Sequence, residues 1–171
     1  SVTFITAVQR RGEPFDLSRL RGVDGTICVF MGVRRLTSIC RGLMIDAGLA
    51  PDTPVALVQW ISYPQQRTVT GSLADIAARA AEAAIGTPAL LVVGEVVSLR
   101  QELRWFDNLP LFGKRVLLTR PAHQIAQTAR LLRRRGAEPI AAPTIAIEPP
   151  PDMAALAAAV TRLATEPGAY D

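Results

Sequence analysis

The stretch GTPALLVVGEVVSLRQELRWFDNLPLFGKRVLLTRP, residues 86–121, decides the fold of this 171-residue chain. Two apolar runs of strand length, residues 90–93 and 115–119, lie near its two ends. Between them the segment 105–113 concentrates aromatic residues and turn formers. This arrangement predicts the end of one α/β domain, a short connector and the start of another. We therefore expect neither domain to be complete here, as in a piece of a longer, bifunctional protein.

Outward from this junction, apolar strands alternate with amphipathic helices. Extended segments are predicted at 1–6, 26–30, 55–60, 68–70, 89–93, 115–119, 138–142 and 144–147. Four helices are predicted from apolar stripes, made of Leu36, Ile39, Cys40, Leu43, Met44 and Ala47; of Leu73, Ile76, Ala77, Ala80 and Ala84; of Ile125, Ala129 and Leu132; and of Met153, Leu156, Ala157, Val160 and Leu163. The alternation predicts an α/β fold with largely parallel strand pairing.

The ends of these helices carry their own signals. Glycine at 48, 86 and 136 is predicted to stop the first three helices. Ser72, followed by Asp75 three residues later, is predicted to cap the second helix in an acidic variant of the capping box. Tyr170-Asp171 is predicted to lead into a further strand.

Composition excludes several classes of function. The net charge is +4, and every basic residue except Lys114 and the single His123 is arginine, which suits an acidic ligand. The densest basic run, 133–135, reads as a solvated helix end, and nothing resembles a nucleic-acid motif. No apolar run reaches the roughly 18 residues that a membrane span needs. Cys28 and Cys40 fit core positions in a reducing cytoplasm, where we expect the protein.

No constellation of residues makes a complete catalytic site or a metal site. His123 is interpreted as an exposed residue at a helix start, and neither a P-loop nor G-x-G-x-x-G occurs. Several predicted strands, however, end in glycine or a loop, where ligands of open α/β sheets tend to bind. These ends are Met31-Gly32, Trp60-Ile61, Gly94-Glu95 and Thr119-Arg120.

Two series of motifs resemble known families. SVTFIT at 1–6, VFMGV at 29–33, PDTPVALV at 51–58, PQQRTVTGSL at 64–73 and PALLVVGEVV at 88–97 resemble, in order and spacing, the C-terminal part of the uroporphyrinogen-III C-methyltransferases of the tetrapyrrole methylase family. GKRVLLTRP at 113–121, RGAE at 135–138 and PTI at 143–145 are similar to the start of the uroporphyrinogen-III synthases. The resemblance divides the chain into a methylase domain at 1–107, a linker at 108–112 and a truncated synthase lobe at 113–171.

The first resemblance implies a cofactor, S-adenosyl-L-methionine, with S-adenosyl-L-homocysteine as product. It implies cofactor contacts at Met31, at Ile61 and near Pro88-Ala89. The family position of Ile61 is usually small, and a β-branched residue resists positive φ. The family's Thr-Gly-His after the first strand is altered, since Ala7 follows Thr6. No catalytic residue is assigned to this chain, because the family's acid/base groups and Gly-rich loop are expected before Ser1.

The second resemblance implies closure of hydroxymethylbilane to uroporphyrinogen III, with Thr119 and Arg120 near the substrate. The methylase would then convert uroporphyrinogen III to precorrin-2, in the sirohaem and cobalamin branch. The family also implies a homodimer, with no nucleic-acid or membrane partner. The chain alone is expected to be inactive and to bind S-adenosylhomocysteine weakly or not at all. Two alternatives stay open: another precorrin methyltransferase, and a non-catalytic module for dimerisation or binding.

Overall fold

The computed structural model describes residues 1–8 and 12–166, which form seven strands and five α-helices. Strands β1 to β5 span Val2–Thr6, Thr26–Phe30, Pro54–Gln59, Arg67–Ser72 and Ala89–Val93. Helices α1 to α3 span Leu36–Ile45, Ile76–Glu82 and Arg100–Leu103. The second part contains β6 (Arg115–Leu118), α4 (Ala122–Arg134), β7 (Glu138–Ala141) and α5 (Met153–Thr165). The predicted lead-in at Tyr170-Asp171 lies outside the described residues.

Strands β1 to β5 form one mixed sheet in the order β1-β2-β5-β3-β4. Only β1 and β2 pair in parallel; β5 is antiparallel to both β2 and β3, and β4 is antiparallel to β3. The prediction of largely parallel pairing is therefore wrong for this sheet. The seven residues between β3 and β4 are too few for a crossover, so they close an antiparallel hairpin. Helix α1 connects β2 to β3, and helix α2 connects β4 to β5. The strands of each pair run in the same direction but are not neighbours, because β5 lies between β2 and β3 and β3 lies between β4 and β5.

The core lies on the sheet face that α1 and α2 cover. The predicted apolar stripe of α1 is confirmed, because Leu36, Ile39, Cys40, Leu43 and Ala47 are all buried and Met44 is half-buried against the same core. Alternate residues of the strands complete this layer. The largest fully buried side chains among the described residues are Ile27, Val29, Leu43, Val55, Leu57, Leu73, Ile76, Leu91 and Val93.

Helix α2 departs from its predicted ends. Ser72 is the last residue of β4, so α2 begins later than predicted and the Ser72 side chain does not cap it. The other half of the predicted capping box does form, because the Asp75 carboxylate accepts a hydrogen bond from the backbone N–H of Ser72. This bond and a second one from Arg79 lower the pKa of Asp75. At the other end, Ala84 turns left-handed at φ 50 and is exposed, and Ile85 takes the buried place. The last buried residue of the stripe is therefore Ile85, one residue later than the helical period predicts.

Both cysteines are buried free thiols, as predicted for core positions. Burial raises the pKa of Cys28, and it raises the pKa of Cys40 from 9.0 to about 11. We expect neither thiol to react with a disulfide reagent at pH 8 until the protein is unfolded, since the thiolate is the nucleophile. The protonated thiols favour the folded state below about pH 9, and that contribution is lost as pH rises towards about 11. Rapid labelling of the native protein at pH 8 contradicts this expectation.

The second part of the chain is a β6-α4-β7 unit. Strands β6 and β7 pair in parallel, as predicted, and α4 covers one face through Ala129. No strand is assigned at residues 144–147, where a second extended segment was predicted. The predicted helix α5 forms, but its apolar stripe is uncovered, with Met153, Leu156 and Leu163 all exposed. Helix formation here follows from local propensity and from the Asp152 cap rather than from packing.

The predicted linker at 108–112 is folded against the second unit. Its backbone makes consecutive turns, and Leu111 N–H donates to the Arg135 carbonyl at 2.9 Å. Gly136, at φ +89, packs so closely on it that a Cβ atom there would lie 3.0 Å from Leu109 Cβ and from the Phe112 backbone. The close approach shows why glycine stands at this position.

Gly136→Ala is expected to lower the free energy of unfolding by about 1–3 kcal/mol, through both overpacking and the positive φ. Gly113→Ala is the matched control, because Gly113 has φ +74 but nothing within 4 Å of its added Cβ. Gly113→Ala should lower the free energy of unfolding by only about 1 kcal/mol, because the positive φ is the only unfavourable contribution there. Urea unfolding followed by circular dichroism measures both, and equal losses contradict the steric argument.

Candidate functional site

One edge of the mixed sheet opens into a groove of about 880 Å³. Strands β1, β2 and β3 run in the same direction, so their carboxyl ends lie at this edge together with the start of β5. The groove is lined by residues that follow β1 to β3, among them Val8, Met31, Trp60 and Ile61, and by Pro88 and Ala89 at the start of β5. Trp60 N–H donates to the Pro88 carbonyl at 3.2 Å, which fastens the loop after β3 to the start of β5.

The structure brings four of the predicted site residues together and separates the others. Met31, Ile61, Pro88 and Ala89, from three different chain segments, all line this groove. Gly94 lies at the opposite edge, where its N–H donates to the Pro54 carbonyl at the start of β3. The strand end at 94–95 is therefore not part of this groove, because β5 runs against its neighbours.

The backbone around the groove is unusually left-handed. Among the described non-glycine residues, only four have positive φ, and three are here: Met31 at 56°, Trp60 at 52° and Ser62 at 63°. Such conformations are disfavoured by the side chain and cluster at functional sites. Ile61 is not among them, so the expected conflict between a β-branched residue and positive φ does not arise. The adjacent Trp60 and Ser62 adopt the left-handed conformation instead.

The groove wall is apolar and accessible. Met31 is 63% exposed and Tyr63 is 57% exposed, although both are large and lie beside a sheet. The Trp60 and Tyr63 rings meet edge to face, with centroids 5.8 Å apart. A concave apolar wall with nearby backbone groups suits a flat heteroaromatic ligand with a polar tail.

Two arginines at the rim were missed by the sequence analysis. Arg34 and Arg35 are exposed, line the groove and belong to the short 3-10 helix Val33–Arg35 that follows Met31-Gly32. Their guanidinium groups can pair with carboxylates. The available signal was their position directly after a strand end. The longer arginine run at 133–135 lies at the end of α4 instead.

Thr119 and Arg120 lie in the second unit, after β6, and not at the groove. The Thr119 carbonyl accepts hydrogen bonds from Thr144, from its N–H at 3.2 Å and from its Oγ1 at 3.0 Å. Arg120 Nη1 lies 3.4 Å from Thr128 Oγ1, a long contact that leaves the guanidinium exposed. Both residues are accessible, and their predicted role in binding substrate stays a prediction.

Residues 1–77 match the family model for Tetrapyrrole (Corrin/Porphyrin) Methylases. This part of the chain is similar to the tetrapyrrole methylases. The match contains Met31 and Ile61 of the groove. The match agrees with the predicted resemblance of the first part of the chain to this family, and the predicted α/β fold class is confirmed.

Individual relatives extend the match beyond the methylase residues. The chain is 35% identical to the porphyrin biosynthesis protein HemD of Ruminiclostridium josui over 153 residues, which cover 88% of this chain and 30% of the relative. It is 42% identical to the siroheme synthase of a Psychrobacter species over 109 residues, covering 63% of this chain and 22% of the relative. The first match must therefore include much of the second unit, whereas the second has about the length of the methylase part alone.

The solved structures agree with the methylase assignment. The native uroporphyrin-III C-methyl transferase from Thermus thermophilus superposes with a TM-score of 0.51 at 30% identity, over 58% of this chain and 42% of that chain. The chain thus spans less than half the length of the relatives it matches here. Binding and activity experiments accordingly use the complete reading frame that contains this sequence. No helix among the described residues is long and apolar enough to cross a membrane.

Proposed function

We propose that this chain supplies one wall of the S-adenosylmethionine pocket of a uroporphyrinogen-III C-methyltransferase. The observation that carries the proposal is the convergence of Met31, Ile61 and Pro88-Ala89 on one groove. The resemblance implied these positions from separate motifs, and they meet at the ligand-binding edge of a methylase-family sheet.

The groove residues fit the cofactor chemically. The exposed Met31 and Trp60 side chains offer apolar surface to an adenine ring. The cofactor supplies an electrophilic methyl group when bound. In the proposal, this chain binds and orients the adenosyl part, and the acid/base groups come from another domain of the complete protein.

The acidic substrate is supported by the rim arginines. Uroporphyrinogen III carries a carboxylate on each of its side chains, and Arg34 and Arg35 present two exposed cations beside the groove. Pairing of arginine with carboxylate is strong and directional. We assign these residues to orienting the substrate, whose reactive ring carbons would then face the cofactor.

The second unit is proposed to be the start of a fused uroporphyrinogen-III synthase. Its support is the motif series from 113 to 145 and the long match to a porphyrin biosynthesis protein, which extends past the methylase part. Such a fusion would make and then methylate uroporphyrinogen III on one polypeptide. The homodimer is also proposed, and the exposed apolar Val2, Phe4 and Phe30 of the β1–β2 face are the surface that favours it.

The decisive experiment is calorimetric titration of the complete protein with S-adenosylhomocysteine, followed by methyl transfer to uroporphyrinogen III. We expect micromolar binding and formation of precorrin-2. Absence of binding at millimolar ligand contradicts the proposal and favours the non-catalytic module. Binding with methylation only of an already methylated corrinoid precursor favours another precorrin methyltransferase. The 171-residue chain alone should bind far more weakly than the complete protein.

A further inference from the structure

The loop at residues 60–66 joins β3 to β4 and forms part of the groove wall. It contains two left-handed residues, Trp60 and Ser62, on either side of Ile61. Backbone in this conformation persists only where surrounding contacts hold it. The shape of the wall therefore depends on what the loop is bonded to.

The contacts that hold this loop converge on one carboxylate outside it. Gln66 Oε1 accepts from the Ser62 N–H at 2.8 Å, and Gln66 Nε2 donates to Asp107 Oδ1 at 2.7 Å. The other oxygen, Asp107 Oδ2, accepts from Arg100 Nη2 at 2.5 Å. The Asp107 side chain is only 18% exposed, so water competes weakly for these bonds. Both carboxylate oxygens are thus engaged, one by Gln66 of the loop and one by Arg100 of α3.

Asp107 also begins the segment that connects the two units. The preceding Trp105 and Phe106 rings meet edge to face at 5.6 Å, and Phe106 meets Phe112 at 5.7 Å. Phe112 in turn packs directly against Gly136 of the second unit. A continuous series of contacts therefore runs from Gly136 to the Ser62 amide.

We infer that Asp107 is a positioning residue for the groove. Through Asp107, the connector between the two units sets the affinity of the groove for the cofactor. The inference rests on the proposed function, since it concerns the same groove. Displacement of the connector moves the Asp107 carboxylate, which releases Gln66 and allows the left-handed loop to relax. The second unit thereby influences cofactor binding without contacting the ligand.

The test uses Asp107→Ala, Gln66→Ala and their double variant in the complete protein. Calorimetry gives the affinity for S-adenosylhomocysteine, and amide hydrogen exchange reports the loop at 60–66. We expect each single variant to weaken binding about five- to tenfold and the double variant to be no weaker than either, because both act through one contact. Exchange should accelerate within 60–66. Asp107→Asn, which keeps an acceptor for Gln66, should restore most of the affinity.

Asp75→Ala is the matched control. Asp75 also accepts from a backbone N–H and an arginine, Arg79 at 2.6 Å, but it lies by Ser72, at the opposite end of β4 from the groove. It should leave affinity and loop exchange unchanged.

Four results would overturn the inference: unchanged affinity despite faster exchange, unchanged exchange, additive effects in the double variant, or an equal loss in Asp75→Ala. If Asp107→Ala does not fold, Gln66→Ala and Asp107→Asn decide the question. If the unmodified protein does not bind S-adenosylhomocysteine, both the proposed function and this inference are wrong. If the unmodified protein and all variants bind it equally well, only this inference is wrong.

Discussion

Leu91→Ala is expected to lower the free energy of unfolding by about 3 kcal/mol, the largest stability effect we predict. Leu91 lies in β5, the central strand, and pairs with Val29 of β2 and with Leu57 of β3. Its side chain is 1% exposed, so truncation leaves a cavity that neighbours on both sides must line. The substitution removes both buried apolar surface and dispersion contacts, and both losses lower the free energy of unfolding.

Leu117→Ala provides the control for this substitution. Leu117 is also a strand leucine, in β6, but it is 60% exposed. The same chemical change should then cost less than about 0.5 kcal/mol. Urea unfolding monitored by circular dichroism gives both values, and a similar loss at the two positions would show that the β1–β5 core does not limit stability.

Met31→Ala is expected to weaken binding of S-adenosylhomocysteine to the complete protein about tenfold, the largest effect on binding from one side chain. Met31 exposes most of its side chain into the groove before any ligand is present. Burying part of a methionine side chain contributes about 1–1.5 kcal/mol, which corresponds to about tenfold in affinity. Isothermal calorimetry measures the change directly.

Met153→Ala is the control for the binding experiment. Met153 on α5 is 58% exposed, close to the value for Met31, but it lies outside the groove. Its truncation should leave affinity unchanged. Met31→Leu, which keeps most of the apolar surface, should lose less than Met31→Ala. Equal affinities for Met31→Ala and the unmodified protein would place the adenosyl group elsewhere.

Local patterns predicted most elements well, for an identifiable reason. The bounds of β2 and β5, the stripe of α1 and the stop at Gly48 depend on apolar periodicity and on conformational freedom, which are properties of short segments. Errors occur where two segments compete. At α2, Ser72 stays in β4 and only the Asp75 half of the predicted capping box forms, and at Ala84 the chain leaves the helix early to bury Ile85.

The site was only partly accessible from the sequence. The motifs that resemble a family pointed to Met31, Ile61, Pro88 and Ala89 but could not place them around a common space. The rim arginines and the Gln66–Asp107 contact have no local signature, because a hydrogen bond across 41 residues depends on how strands are ordered. Strand order also decides which strand ends face a ligand, and this is why Gly94 was misplaced.

By itself, the sequence determined which segments become strands and helices, which side chains are apolar enough to bury, and which family the first part resembles. Tertiary structure alone decided that β5 enters between β2 and β3 against their direction, and that the connector reaches back to the loop at 60–66. The physical reason is that periodicity records which face of a segment is buried. The direction and neighbours of a strand are fixed by non-local pairing, and any order that buries the same faces satisfies the same local pattern.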